Sequence, residues 1–272
     1  PLHASARHQA LHHFVAQAEW SDDAILNRVA QWVVPHMEVG RGAFWIIDDT
    51  GFPKKGKHSV GVARQYCGQL GKQDNCQVAV SISLATETAS LPVAYRLYLP
   101  QEWACDRDRR QKAYVPSPVR FATKPQIALS QLEGLLAAGA PRHCVLADAG
   151  YGVETAFRLR LSEWGVPYMV GIKSTVSVWP AGHEPLAPKP YSGRGRPPLA
   201  PRRSARRQPL SVKALAHALP ESSFQTLSWR EGTNETLTGR FAVARVRHAG
   251  GNLGRARLRP EEWLLIEWPR GE

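Results

Sequence analysis

The amino-acid sequence predicts an α/β protein in which a mixed β-sheet with flanking helices is interrupted by a β-rich insertion. Residues 44–99 contain apolar segments rich in Val, Ile, Tyr and Trp and separated by turn residues, a pattern typical of consecutive strands. Residues 123–172 then alternate between helical and strand periodicity. Residues 179–209 are dense in Pro, Gly and Arg, a composition that cannot bury a core. We therefore expect an extended loop there, within an insertion that spans 175–260.

Two short helices are expected in the N-terminal segment, 1–39. Apolar residues recur at helical spacing in two runs within 7–37, and Ser21-Asp22-Asp23 offers an N-cap between the runs. Four strands follow at the start of the core, whose first part spans 40–174, and we expect these strands in meander order.

The second half of the core is predicted to alternate helices and strands. A helix is expected over 123–138, where Thr123 and Gln126 have capping-box spacing. The next predicted elements are a strand at 143–147, a helix at 153–164 and a strand at 167–172. Strands followed by this alternation, with carboxylates at two strand ends, are compatible with a ribonuclease-H-like mixed sheet. We expect 261–272 to return to that core as a further strand.

Composition points to a polyanionic partner. The 272 residues include 35 Lys and Arg against 23 Asp and Glu, which gives a net charge of +12. Nucleic acid is the first candidate for such a basic chain, and a membrane surface is the second. The sequence has no run of about 18 apolar residues and no apolar signal core, so we expect a cytoplasmic, nucleoid-associated protein. The four cysteines have no zinc-binding spacing, and we expect buried free thiols.

Carboxylates follow two of the predicted strands. Asp48 and Asp49 end the apolar run that begins at Phe44, and Asp148 follows a second such run. Successive strand side chains face opposite ways, so only one of the adjacent pair can enter a given site. Strand-end carboxylates that converge from adjacent strands form an oxygen-only site for Mg²⁺ or Mn²⁺, as phosphodiester chemistry requires. A solvated turn at Asp48 and Asp49 and a helix-capping role for Asp148 are the alternatives.

Two clusters of basic residues are candidates for contact with DNA. Lysines follow Asp49 directly, and Arg194-Gly195-Arg196-Pro197 resembles an AT-hook core, whose arginines can enter the minor groove of A·T-rich DNA. A solvated turn for the first cluster, and a phosphate-binding loop or a solvated linker for the second, are the alternatives. The candidate residues are Lys54, Lys55, Lys57, Arg194, Arg196, Arg202, Arg203, Arg206 and Arg207.

Four stretches of the sequence are similar to the motifs of a known family and occur in the same order: WIIDDTGFPKKGK, LYLPQEWACDRDRR, FATKPQIAL and VLADAGYG. They resemble the DDE transposases of bacterial insertion sequences, in the group that carries a β-rich insertion inside a ribonuclease-H-like core. The resemblance implies that Asp49 and Asp148 bind metal, two Mg²⁺ ions in the intact site with Mn²⁺ as a substitute, and that Asp48 points away. It also implies transposon-end and target DNA as substrates, and a homodimer that holds two ends together.

The third acid of that family, a glutamate on a helix after the insertion, has no match in this sequence. Glu261, Glu262 and Glu267 flank an apolar strand, so none of them receives the role. We therefore expect a transposase fragment that stops before its catalytic glutamate, and a fragment with two of the three acids is expected to be inactive by itself. A ribonuclease-H-like nuclease without strand transfer and a non-catalytic DNA-binding remnant are the alternatives. For the stretch 106–110 the residues suggest only local ion pairing.

Overall fold

A computed structural model describes residues 21–37, 42–198, 208–231, 236–249 and 259–268, with isolated positions at 10, 13, 14, 17 and 202. The side chains of 229–231 lie outside this description. The chain divides into two compact units, Pro1–Val170 and Gly171–Glu272. Each unit has its own sheet and its own apolar core.

A mixed six-stranded sheet forms the centre of the first unit. Its strands are β1 (Phe44–Pro53), β2 (Ala63–Cys67), β3 (Lys72–Ala85), β4 (Ser90–Leu97), β5 (Cys144–Ala147) and β6 (Tyr168–Val170). The order is β2-β3-β1-β5-β6, and β4 also pairs with β3. The N-terminal strands pair antiparallel, whereas β5 runs parallel to β1 and β6 parallel to β5. This arrangement confirms the α/β class and is consistent with a ribonuclease-H-like fold.

The expected meander order of the first four strands was wrong. The strand β3, not β2, pairs with β1, and β3 also pairs with β2 and β4. A strand with neighbours on both edges must be apolar on both faces, and Val78–Leu84 is buried almost continuously. The short strand β2 alternates between exposed and partly buried side chains, as suits an edge.

Helices flank this sheet. They are α1 (Asp22–Met37), α2 (Gln101–Cys105), α3 (Arg107–Lys112), α4 (Lys124–Ala137), α5 (Ala149–Gly152) and α6 (Thr155–Glu163). Two predicted caps are present: the Ser21 hydroxyl accepts a hydrogen bond from the Ala24 amide, and Thr123 and Gln126 form a complete capping box. Trp45, Leu132 and Phe157 are at most 1% exposed in the core between sheet and helices. The first predicted helix falls largely outside the described residues.

The second unit has a five-stranded sheet. Its elements are β7 (Ser177–Pro180), β8 (Leu210–Ser211), α7 (Val212–Ala218), β9 (Gln225–Glu231), β10 (Thr236–His248) and β11 (Glu262–Trp268). The predicted return strand at 261–272 is found here as β11, which pairs with β10 rather than with the first sheet. Leu264 and Ile266 face inward on β11 and pack in the core of this unit, and that burial explains the pairing.

All four cysteines are free. Cys67 and Cys76 are buried as expected, whereas Cys105 is exposed and Cys144 is half-buried. Burial raises the pKa of the Cys76 thiol, so this group stays protonated at neutral pH. Within the described ranges, no helix is long and apolar enough to cross a membrane.

Candidate active site

The strand β1 carries Asp49 at the centre of the first sheet. Trp45 and Ile47, 0% and 2% exposed, lie on the same face of β1 as Asp49 because strand side chains alternate with a period of two. Asp48 lies on the other face and is exposed. Asp49 is therefore the acid on the buried face of β1, and its side chain is 33% exposed.

Both carboxylate oxygens of Asp49 accept a hydrogen bond from another side chain. The Lys124 ammonium lies 2.6 Å from Oδ2, and the Tyr151 hydroxyl donates to Oδ1 over 2.5 Å. Lys124 begins α4, immediately after the Thr123 cap, and Tyr151 lies in α5. Two helices that pack on the sheet thus orient this carboxylate.

Asp148 directly follows β5, the parallel neighbour of β1, one position beyond the last paired residues. The last residue of β5, Ala147, pairs with Ile47 of β1, and neighbouring strands are about 4.8 Å apart. The Asp148 side chain accepts a hydrogen bond from the Gly150 amide over 2.8 Å and caps α5. The capping role considered as an alternative is therefore present. It uses Oδ1 and leaves Oδ2 for other contacts.

Tyr151 connects the two acids. Its ring is 2% exposed and packs against Phe157, with ring centroids 5.9 Å apart. Burial raises the pKa of Tyr151 far above its ordinary value, and the hydrogen bond to Asp49 and the charges of the nearby aspartates raise it further. The hydroxyl therefore stays protonated at neutral pH and donates to Asp49.

Sequence reasoning did not identify Lys124 or Tyr151 as site residues. Each lies inside a stretch that carried the family resemblance, FATKPQIAL for Lys124 and VLADAGYG for Tyr151. Their place in these stretches was the signal that could have identified them. Neither contact is local, since Lys124 is 75 residues from Asp49 and Tyr151 is 102 residues away.

The donor atoms suit a hard divalent cation. Asp49 and Asp148 offer only carboxylate oxygens, the ligands that Mg²⁺ and Mn²⁺ prefer. The Lys124 ammonium shows that a cation is accommodated at Asp49 Oδ2. Across the described residues, no group of three or more His, Cys, Asp or Glu side chains is arranged to hold a metal ion. Asp49 and Asp148 each therefore offer donor atoms of the kind that a metal ligand needs, but no third such side chain is grouped with them in the described part of the chain.

The matching family decides the class of protein. A model of the family described as "DDE superfamily endonuclease" matches residues 1–236. The chain belongs to this family. Membership confirms the resemblance seen in the sequence and implies chemistry that depends on a divalent metal.

The chain is also similar to the "Probable transposase for insertion sequence element IS701" of Microchaete diplosiphon, with 32% identity over 178 residues. That match covers 64% of this chain and 44% of the relative, so the chain spans less than half of the relative's length.

Glu261, one of the C-terminal glutamates of this DDE endonuclease, forms ion pairs within the second unit. Glu261 is paired with Arg245 and Arg247, each at 3.4 Å. Arg247 also pairs with Glu184 at 2.9 Å. Glu261 therefore belongs to an ion-pair network within the second unit.

The basic candidates for DNA contact fall into three sets. Lys54, Lys55 and Lys57 are exposed in the turn that follows β1. Arg194 and Arg196 are exposed in a bend, whereas Arg202 donates its Nε to the Ala187 carbonyl over 3.0 Å. The remaining candidates, Arg203, Arg206 and Arg207, lie outside the described residues.

The stretch 106–110 has a different role from the local ion pairing suggested by its sequence. The Asp106 side chain caps α3 by accepting from the Arg109 amide. Arg110 donates to the carbonyls of Ala104, Pro116 and Val119 over 2.7–3.2 Å. Arg109 donates to the Lys57 carbonyl and stacks on Trp103. The two arginines thus bind backbone carbonyls and fix loops of this endonuclease.

Proposed function

We propose that this protein is a DNA transposase that cleaves DNA strands and transfers them during movement of an insertion sequence. The observation that carries the proposal is the pair of carboxylates in a DDE endonuclease, Asp49 within β1 and Asp148 directly after the parallel neighbouring strand β5. Similarity to a probable insertion-sequence transposase supports strand transfer over simple hydrolysis.

In this proposal Asp49 and Asp148 hold Mg²⁺, with Mn²⁺ as a substitute, and a complete site holds two ions. Such ions activate the attacking hydroxyl and neutralise the leaving oxygen. Tyr151 fixes the orientation of Asp49 through Oδ1, since its buried hydroxyl is always a donor. Lys124 balances the negative charge at Oδ2, and its cationic head lies where a phosphate oxygen could also be bound.

DNA is the proposed partner, as transposon ends and as target. Two ends must be held together for transposition, so the proposal includes a homodimer. A protein that acts on chromosomal DNA in bacteria works in the cytoplasm at the nucleoid. The exposed lysines after β1 and the arginines of 194–207 are the proposed DNA contacts, and the net charge of +12 supports a polyanionic partner.

The test is metal-dependent cleavage and joining of DNA that carries the element's ends. Asp49→Asn and Asp148→Asn should each lower cleavage by at least about 1000-fold while DNA binding is kept, because the amide cannot neutralise the cation. Asp48→Asn is the matched control and should keep activity within about 3-fold, because Asp48 lies on the other face of β1. Full cleavage by Asp49→Asn would refute the assignment. Cleavage without joining of pre-cut 3′ ends would identify a nuclease instead.

A second candidate function is DNA binding without catalysis. It is favoured by the finding that, among the described residues, no three His, Cys, Asp or Glu side chains are grouped so that they could hold a metal ion. In that case the protein would bind end-containing DNA with the same affinity as its Asp49→Asn variant, and no Mn²⁺ concentration would produce cleavage.

A further inference from the structure

The backbone of the loop that follows the Asp49 strand is held by side chains from two other elements. The Asn75 amide of β3 donates to the carbonyls of Lys54 and Gly56 over 2.6 and 2.9 Å. Arg109 of α3 donates to the Lys57 carbonyl over 2.9 Å. Gln77 donates to the Val60 carbonyl over 2.6 Å. Four carbonyls of residues 54–60 are therefore turned toward the protein, and we call this segment the lysine loop.

The side chains that hold the lysine loop are themselves fixed. Asn75 lies within β3, and its own carbonyl accepts from the Lys54 amide over 2.9 Å. The Arg109 guanidinium stacks on the Trp103 ring at 3.7 Å. Trp103 is 0% exposed and donates its Nε1 to the Val62 carbonyl over 2.8 Å. The loop is thus fastened at both ends by β3, through Asn75 and Gln77, and in its middle by Arg109 of α3.

With the carbonyls turned inward, the lysine side chains are directed to solvent. Lys54, Lys55 and Lys57 are all exposed, and no carboxylate among the described residues forms an ion pair with any of them. Uncompensated lysines on a fixed backbone form a cationic surface of defined spacing. The surface begins directly after Pro53, the last residue of the strand that carries Asp49.

We propose that the lysine loop is a preformed platform for the sugar-phosphate backbone of DNA, and that Asn75 and Arg109 are positioning residues for it. This inference rests on the proposed function, which supplies DNA as the ligand. Fixing the loop before binding reduces the conformational entropy that is lost when the lysines meet phosphates. The three lysines contribute by releasing counterions, which makes their contribution dependent on salt and independent of base sequence.

The test is DNA affinity as a function of salt, measured by fluorescence anisotropy on the full chain in EDTA. Replacing Lys54, Lys55 and Lys57 together by Gln should reduce the slope of log K against log salt by about 2 to 3, at about 0.9 per phosphate contact. Arg109→Lys keeps the charge but loses the planar guanidinium, and it should weaken binding by about 3- to 10-fold. Asn75→Ala, which also keeps the charge, should have a similar effect.

Arg110→Lys is the matched control for Arg109→Lys. Like Arg109→Lys, it leaves the net charge unchanged and lies on α3. Arg110, however, donates to carbonyls outside the lysine loop. It should leave DNA affinity within about 2-fold, and thermal melts should show both variants to be folded at the assay temperature.

A double-mutant cycle separates positioning from general damage. Arg109→Lys added to the triple Gln variant should cause no further loss, because Arg109 acts through the lysines. An equal further loss in that background would overturn the positioning role, and an unchanged salt slope in the triple variant would overturn the platform. DNA binding measured in EDTA does not involve metal at Asp49 and Asp148. The anisotropy experiment therefore tests the platform whether or not the protein cleaves DNA.

Discussion

Asp49 and Asp148 have the same sequence setting but are held in different ways. Asp49 lies within β1 and Asp148 directly follows β5, and these two strands are parallel neighbours in the first sheet. Asp49 is oriented by side chains of two helices, Lys124 and Tyr151, that lie far away in the chain. Asp148 is oriented by the amide of Gly150, two residues ahead. One acid depends on tertiary packing and the other on a local turn.

The difference predicts which changes disturb which acid. Substitutions of Lys124 and Tyr151 should act on the site through Asp49, because these side chains are its donors. Substitutions of Gly150 should act through Asp148, because the Gly150 amide donates to it. Variants of each kind can therefore test whether the acids work as one site.

The largest effect is expected for Tyr151→Phe. Phenylalanine keeps the buried ring and its packing against Phe157 but removes the donor to Asp49 Oδ1. We expect cleavage to fall by about 10- to 100-fold while the fold is kept, as measured by single-turnover cleavage with a circular-dichroism melt as control. Unchanged cleavage would show that Asp49 needs no orientation by Tyr151.

The same residue predicts a pH effect on stability. The pKa of Tyr151 is raised in the folded state, so its stabilising contribution is present below the ordinary tyrosine pKa of about 10 and is lost as pH rises above it. The wild type should therefore lose stability above about pH 10 more steeply than Tyr151→Phe. Urea unfolding at several pH values measures this, and parallel curves would contradict it.

A smaller effect is expected for Lys124→Met, which removes the internal cation at Asp49 Oδ2. The ammonium and a bound metal compete for the same negative charge, so we expect Mn²⁺ to bind about 3- to 10-fold more tightly to the variant. Its melting temperature in EDTA should fall and recover when Mn²⁺ is added. Lys124→Arg is the charge-preserving control, and weaker Mn²⁺ binding by Lys124→Met would contradict the expectation.

The smallest effect is expected for Gly150→Ala, which acts on Asp148 alone. A Cβ at Gly150 would lie 3.0 Å from Asp148 Oδ1, so the carboxylate must move by a few tenths of an ångström. We expect a loss of about 2- to 10-fold in Mn²⁺-dependent cleavage. Gly134→Ala, in α4 and with open space at its Cβ, is the control and should leave cleavage unchanged.

Local patterns predicted much of the fold and part of the site. The capping residues Ser21 and Thr123 marked two helix starts correctly, because such caps depend on residues three positions apart. The apolar runs before Asp49 and Asp148 marked two strands that are indeed neighbours. Apolar periodicity is a local signal, and it was sufficient for these features.

Features that depend on pairing between distant segments could not be predicted in the same way. The place of β3 beside β1 and of β11 beside β10 follows from which apolar faces fit together, and periodicity does not specify a partner. The same holds for Lys124 and Tyr151 at Asp49, and for Arg109 at the Lys57 carbonyl. In each case the contact joins two different segments of the chain, and the local pattern of neither segment specifies the other.

Mn²⁺ binding is the most direct test of whether Asp49 and Asp148 form one metal site. Calorimetric titration of the wild type, Asp49→Asn, Asp148→Asn and the double variant would measure it, with Asp48→Asn as the control. If the site is shared, each single variant should lose most of the binding and the double variant should lose no more than either. Additive losses, or binding that survives both substitutions, would contradict a shared site.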